Sequence, residues 1–390
     1  VTPGARTQAA IELLDAIIAA AREGGAAADT LIARYFATRR YAGSKDRRAV
    51  RELVYAAIRR CGERPASGRA AMHLLASEDE HLAATFDGSP HGPSALSADE
   101  PIAIPGTVPA WIGEALGSAG ITAGEWPSLI ERAPLDIRVR ADVDQDLVRR
   151  QLPEAQPIAG LPAGLRLPAG TDVAPLGGAI EVQDAGSQTV SLAAHASPGM
   201  IVVDLCAGAG GKTLALGDAM KGQGRIIACD VDRSRLSRLA PRAARAELPI
   251  VETRLLNPGR ELEAIPDLQR AADVVFVDAP CSGTGTWRRN PEARWRLTPD
   301  RLTRLMETQA HVLDLAEALV RPGGALVYVV CSLLNEEGGD QIEGFLRRHT
   351  GWVAAPLDLP FGAPHGRGVR LTPFRDGTDG FFVARLIAPC

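Results

Sequence analysis

Apolar residues recur at intervals of three and four through the first 75 residues of the chain. Ile11, Leu14, Ile18 and Ala21 form one such series, Leu31, Ile32, Tyr35 and Phe36 a second, and Val50, Leu53, Val54, Ala57 and Ile58 a third. That period predicts helices, with Gly24-Gly25 and Gly43-Ser44 as breaks between them. Pro, Gly and Ser then crowd the stretch 76–130, which reads as a loop followed by short helices around Trp111 and Trp126. A short strand is expected over Asp136–Arg140 and a helix near 144–152, with a Pro- and Gly-rich linker over 153–178. No internal repeat is visible.

From about residue 180 the pattern changes to short, continuous apolar runs. Ile201–Val203 leads into Asp204, Arg225–Cys229 into Asp230, Val274–Val277 into Asp278, and Ala325–Val330 into Cys331. Such runs suit strands of a parallel sheet covered on both faces. The segments 212–221, 233–246 and 300–320 supply the intervening helices. The fold class is therefore α/β, a Rossmann-like, mostly parallel doubly wound sheet. An all-helical domain over 1–128 and a small α/β unit over 129–178 precede a catalytic-type domain over 179–390. In such sheets ligands bind outside the carboxyl ends of the strands, and each run just named delivers an Asp or a Cys to that edge.

Composition narrows the classes. At 390 residues, two or three domains are expected. Hydrophobic residues at 46% and charged residues at 23% exclude a disordered chain. No run of 18 apolar residues predicts a membrane helix, and the opening VTPGARTQAAIELLDAI lacks a signal-peptide pattern. The six cysteines contain no C-x-x-C pair, so reduced thiols in the cytoplasm, and no metal, are expected. The net charge of −4 shows no global basic field. Residues 1–75 nevertheless hold 13 Arg and Lys against 7 Asp and Glu. Arg39, Arg40, Lys45, Arg47, Arg48 and Arg51 read either as a solvated helix face or as a patch for nucleic-acid phosphates.

The first chemical motif is Asp204-Leu-Cys-Ala-Gly-Ala-Gly-Gly-Lys-Thr213. Its glycines let a backbone turn approach a ligand ahead of a helix N-terminus. Asp230, at the end of the next strand, suits the ribose hydroxyls of an adenosine-containing ligand. Gly211-Lys212-Thr213 also imitates the end of a phosphate-binding P-loop, but the position that needs its first glycine is Cys206. The second motif is Asp278-Ala-Pro-Cys-Ser-Gly-Thr-Gly285, where Cys281 is expected to face the cleft from a mobile Ser-Gly-Thr-Gly loop. Trp287, Arg288, Arg289, Asn290 and Arg294 follow it, either as an RNA contact or as an exposed Arg-rich loop. The third is Cys331-Ser332 with Asn335-Glu336-Glu337. One such Cys is ordinarily plain packing; two at one sheet edge beside a nucleotide-type turn are not.

These segments, with Gln183–Gln188 and Asp379–Phe382, resemble the RNA cytosine carbon-5 methyltransferases of the RsmB/Fmu type over about 180–390. Ser44–Arg48 and Glu52–Tyr55 are similar to the NusB-like RNA-binding domain of that family. The resemblance implies a class I methyltransferase domain using S-adenosylmethionine, with ribosomal RNA as the partner and a monomeric state. It implies donor binding by Cys206, Ala207, Gly208, Ala209, Gly210, Gly211, Lys212, Asp230, Arg235, Asn257 and Asp278. It assigns Cys331 as nucleophile, Cys281 as the product-release group, Asp278 to the edge of the base as an acid whose pKa burial raises, and Lys212 to orient Asp278. It places Arg288, Arg289 and Asn290 against RNA. The loop departs from the family's usual Ala-Ala-Pro-Gly-Gly-Lys, and Asn257 stands where an Asp is usual. Both thiols fall on one sheet edge, so the residues alone leave their roles interchangeable. A transfer-RNA methyltransferase, a P-loop NTPase and a non-catalytic RNA-binding module are the rival readings.

Overall fold

The computed structural model describes residues 1–39 and 41–390; Arg40 of the expected basic cluster lies outside them. The chain divides into two compact units, one of 1–131 with 286–298 and one of 132–285 with 299–390. The catalytic-type region is thus not contiguous: thirteen residues that follow the Cys281 loop belong to the first unit.

In the first unit, α1 (Pro3–Glu23), α2 (Ala28–Ala37), α3 (Ser44–Arg60) and α4 (Gly68–Ala76) pack around Leu14, Ile17, Val54, Ile58 and Met72. The first three are the helices the spacing predicts; α4 has no counterpart among the predicted series. Thr2 caps α1 and Ser67 caps α4 through their hydroxyls. Neither Ala27 ahead of α2 nor Cys61 after α3 offers a side-chain cap. The segment 291–296 supplies both. Glu292 accepts from the Ala28 N–H at 3.0 Å. Arg294, fully buried, donates to the carbonyls of Ile58 at 2.6 Å and Cys61 at 2.8 Å. A cation there also suits the negative end of the helix dipole. Trp295 joins the helical core, and its indole N–H donates to the Cys61 carbonyl at 3.1 Å.

The second unit begins with an antiparallel sheet of β1 (Leu135–Val139), β2 (Gln156–Ile158), β3 (Leu161–Leu167) and β4 (Ile180–Val182), in the order β2-β3-β1-β4. Two of these strands run through the stretch expected to be linker. Pro157 sits in the edge strand β2, where a missing N–H costs no ladder bond.

The main sheet is built from β5 (Ile201–Asp204), β6 (Arg225–Asp230), β7 (Val251–Leu255), β8 (Ala272–Asp278) and β9 (Val320–Val330). They run parallel in the order β9-β8-β5-β6-β7. Four C-terminal strands, β10 (Val353–Ala355), β11 (Ala363–His365), β12 (Gly368–Leu371) and β13 (Phe381–Ile387), continue it antiparallel, with β13 paired to β9. The parallel strands carry a fully buried set including Val203, Ile227, Val275, Phe276 and Val329, as their uninterrupted apolar sequences require. The winding direction reverses between β5 and β8. Loops leaving the carboxyl ends of those two strands therefore part to leave the crevice of this fold class. No helix among the described residues is long and apolar enough to cross a membrane.

Candidate active site

The crevice is lined from β5 outward. After Asp204 the chain turns through Cys206–Gly210 into the helix Gly211–Ala219. Gly210 has φ 89°, and a Cβ there would collide with Leu239, so the turn requires glycine at that point. Arg242 pins the turn from outside, donating to the Ala209 carbonyl at 2.5 Å. Ala207 N–H donates to the Cys229 carbonyl at 2.8 Å, tying the turn to the end of β6.

Asp230, at the end of β6, is buried and accepts from Gly208 N–H and Asp232 N–H, each at 2.7 Å. Each of its oxygens retains acceptor capacity toward the crevice. Arg235 is exposed, and its guanidinium covers Gly208 so closely that a Cβ there would meet it. Asn257 is exposed just beyond β7, next to Leu256, whose N–H donates to the Asp230 carbonyl at 2.9 Å.

Asp204 lies beneath the turn and accepts from the Thr213 hydroxyl at 2.6 Å, while its Oδ1 has no hydrogen-bond partner. Burial pushes its pKa up to about 7 against the Thr213 bond, which lowers it. Asp278, which the resemblance sets at the edge of the base, is partly exposed and pairs with the Lys212 ammonium at 2.7 Å, as the expected orienting role of Lys212 requires. Burial acts to lower the Lys212 pKa, but the charge and hydrogen bond of Asp278 outweigh it and hold the lysine protonated.

The two sequence-predicted thiols meet. Cys281 Sγ and Cys331 Sγ are 3.3 Å apart and both are half-buried. The hydrogen bond between them and then burial push the Cys281 thiol well up, with Glu337 adding to the effect. Lys212 has Cys331 among the groups that favour its charge.

The loop carrying Cys281, expected to be mobile, is buried and hydrogen-bonded into the fold. Ser282 and Thr284 are buried, and both hydroxyls lie 3.2 Å from the Ser332 hydroxyl. Gly285 N–H donates to the Cys331 carbonyl at 3.0 Å, and a Cβ on Gly285 would strike Gly380. The glycines serve close backbone packing here. Glu337, which the third motif includes without a role, and Gln309, which no motif includes, are both wholly buried beside this loop; acidic and amide residues on a polar stretch gave no sign of that burial. Of the residues assigned to RNA, Trp287, Arg288 and Arg294 are buried in the helical unit. Their expected exposure is corrected by the capping and packing described above. Arg289 is half-buried and Asn290 exposed. Among the described residues, no group of three or more His, Cys, Asp or Glu is placed to hold a metal.

A doubly wound sheet with a glycine turn at its switch point, an acid on the next strand and two facing thiols defines a Rossmann-like methyltransferase-type domain. The chain belongs to the 16S rRNA methyltransferase RsmB/F family, whose model matches residues 191–387. It is 36% identical over 273 residues to a probable ribosomal RNA small subunit methyltransferase B of Synechocystis, covering 65% of this chain and 59% of that protein. It is 37% identical over 239 residues to the ribosomal RNA small subunit methyltransferase B of Xylella fastidiosa, covering 60% and 56%. The chain thus spans about three fifths of the length of the curated relatives it matches. The solved structure of PH0851, 24% identical, shares the fold with a TM-score of 0.75 over 99% of both chains.

Proposed function

We propose that this protein is an S-adenosylmethionine-dependent RNA methyltransferase that forms 5-methylcytosine, with ribosomal RNA of the small subunit as substrate. The observation that carries the reading is the 3.3 Å pair of thiols, Cys281 and Cys331, at the switch point of a nucleotide-type sheet. A P-loop NTPase has no use for that pair, and its first loop glycine is replaced by Cys206.

The residues present fit the donor. The glycine turn is a cradle that side chains would fill, and Asp230 suits a ribose diol. Cys206–Lys212 would follow the rest of the molecule, and Asn257 offers an amide to adenine. Arg235 closes over Gly208 from outside. When bound, S-adenosylmethionine supplies an electrophilic methyl group on a sulfonium. Carbon-5 of cytosine is too weak a nucleophile to take it directly. Attack by the Cys331 thiolate on carbon-6 forms a C–S bond and turns the ring into an enamine, nucleophilic at carbon-5. Lys212 fixes Asp278 against the ring nitrogen, where a proton is shared as charge develops.

Once carbon-5 is methylated, its hydrogen must leave. Cys281, as thiolate, takes that proton; the C–H electrons restore the ring double bond, and the C–S bond to Cys331 breaks. The upward push on the Cys281 thiol supports this division of labour, since it disfavours Cys281 as the attacking thiolate while Cys331 is still its hydrogen-bond partner. The target base must be unstacked to reach the crevice. Arg289, Asn290 and the basic helices of the NusB-like first unit bind RNA. The protein acts as a monomer in the cytoplasm.

Incubation with small-subunit rRNA and S-adenosylmethionine, followed by bisulfite sequencing, tests the reading. One protected cytosine that disappears without donor is expected. No protected cytosine, together with calorimetric binding of ATP but not of S-adenosylmethionine, would overturn it.

A further inference from the structure

Glu337 is wholly buried, yet it belongs to none of the groups that touch donor or base in the mechanism above. Its Oε1 accepts from the Ser282 N–H at 2.8 Å and from Gln309 Nε2 at 3.0 Å, and its Oε2 accepts from the Ser282 hydroxyl. Gln309 Nε2 also donates to the Pro280 carbonyl at 2.9 Å. One carboxylate and one amide therefore hold the residues on both sides of Cys281. Glu337 is itself held from the strand that carries Cys331, because its carbonyl accepts from the hydroxyl of the fully buried Tyr328 at 2.7 Å. The Ser332 hydroxyl, next to Cys331, faces both Ser282 and Thr284. A buried carboxylate is costly unless its hydrogen bonds are made; here two of the three come from Ser282 in the turn behind one thiol, and the third from Gln309, which also holds Pro280.

The geometry points to Glu337 as a positioning residue that clamps the Pro280–Ser282 turn so that Cys281 stands against Cys331. This rests on the two-thiol reading proposed above. Without the carboxylate the Ser282 N–H loses its partner and the Ser282 hydroxyl keeps only Ser332, and the turn is free to relax away from Cys331. Attack needs only Cys331, so it survives; proton removal needs Cys281 in place, so release suffers. A glutamine retains the shape: its carbonyl oxygen accepts where Oε1 does, and its NH2 donates to a Ser282 hydroxyl that rotates to receive it.

The test uses the full chain and two readouts. Dibromobimane fluoresces when it bridges two nearby thiols and reports the pair without catalysis. Glu337→Ala should lose at least tenfold of the bridging rate, and with RNA and S-adenosylmethionine should accumulate a covalent RNA adduct. The KM for S-adenosylmethionine should stay within twofold of wild type while kcat falls at least tenfold. Glu337→Gln should recover bridging and turnover to within about threefold. Ser282→Ala, which removes a single hydroxyl, should show the same pattern in weaker form should Glu337→Ala fail to fold. Wild-type bridging and release in Glu337→Ala, or in Ser282→Ala where it is the variant that folds, would overturn the proposal. So would equal loss of donor affinity and turnover in Glu337→Gln. Absence of adduct and of 5-methylcytosine in the wild type would instead strike the two-thiol reading itself.

Discussion

At the scale of single residues, the site separates groups that sequence motif alone had merged. Asp204, Asp230 and Asp278 all end strands, but one is sealed under the turn, one faces the crevice and one is paired to a lysine. Asp230→Ala should weaken S-adenosylmethionine binding by about 1–3 kcal/mol, the range for hydrogen bonds to a charged acceptor, with calorimetry as the measurement. Asp204 makes a different prediction. Its pKa is raised from 3.8 to about 7 by burial, so between those values the folded protein holds a proton that the unfolded chain has released. Stability therefore falls as pH rises through that window, and the penalty is complete above it. At about 1.4 kcal/mol per pKa unit, the loss amounts to several kcal/mol. Denaturant unfolding at pH 5 and pH 8 should show a smaller decline in Asp204→Asn than in wild type. The motif residues, including both cysteines, were legible because their types and spacing are chemically demanding. Gln309 was not, and Glu337 stood in a motif without a role, because nothing in a polar residue's local sequence says that it is buried.

At the scale of elements, the periodicities carried α1, α2 and α3 of the first unit and four of the five parallel strands, β5, β6, β8 and β9; β7, with Glu252 and Arg254 among its residues, gave no continuous apolar run. They did not carry β2 and β3, where Pro157, Pro162 and Gly164 imitate a linker, nor the antiparallel strands after β9. The stretch 286–298 is a third case: arginines after an active-site loop suggest RNA, and within the same stretch Glu292 and Arg294 replace the missing caps of α2 and α3. Trp295, an aromatic among those charges, was the available sign of a buried segment. Glu292→Ala should cost about 1 kcal/mol, as cap deletions do. Arg294→Ala strips two α3-end carbonyls of a buried donor and should cost about 3–5 kcal/mol. Thermal unfolding of the two variants should show that order; an Arg294→Ala protein as stable as wild type would contradict the capping role.

At the scale of the whole molecule, the chain enters the first unit a second time at 286 and leaves it at 298. Removing residues 1–75 would therefore strip the helices from around Trp295 and Arg294, so truncation is a poor test of RNA anchoring. Charge reversal is cleaner. In the basic cluster, Arg39 pairs with Glu12 and Arg51 with Asp29, while Lys45 and Arg48 are exposed. Lys45→Glu with Arg48→Glu should lower RNA affinity. It should also reduce the slope of log affinity against log salt by about one for each phosphate that is no longer neutralised. Donor affinity should be unaffected. An unchanged salt slope would mean that this face of the helices does not meet RNA.

The central claim is that Cys331 attacks and Cys281 releases, and labelled RNA on a denaturing gel tests it most directly. With S-adenosylmethionine present, Cys281→Ala should accumulate a slow-migrating covalent protein–RNA band whose base carries the methyl group. Cys331→Ala and the double variant should give no band. A band from Cys331→Ala and none from Cys281→Ala would contradict the assignment.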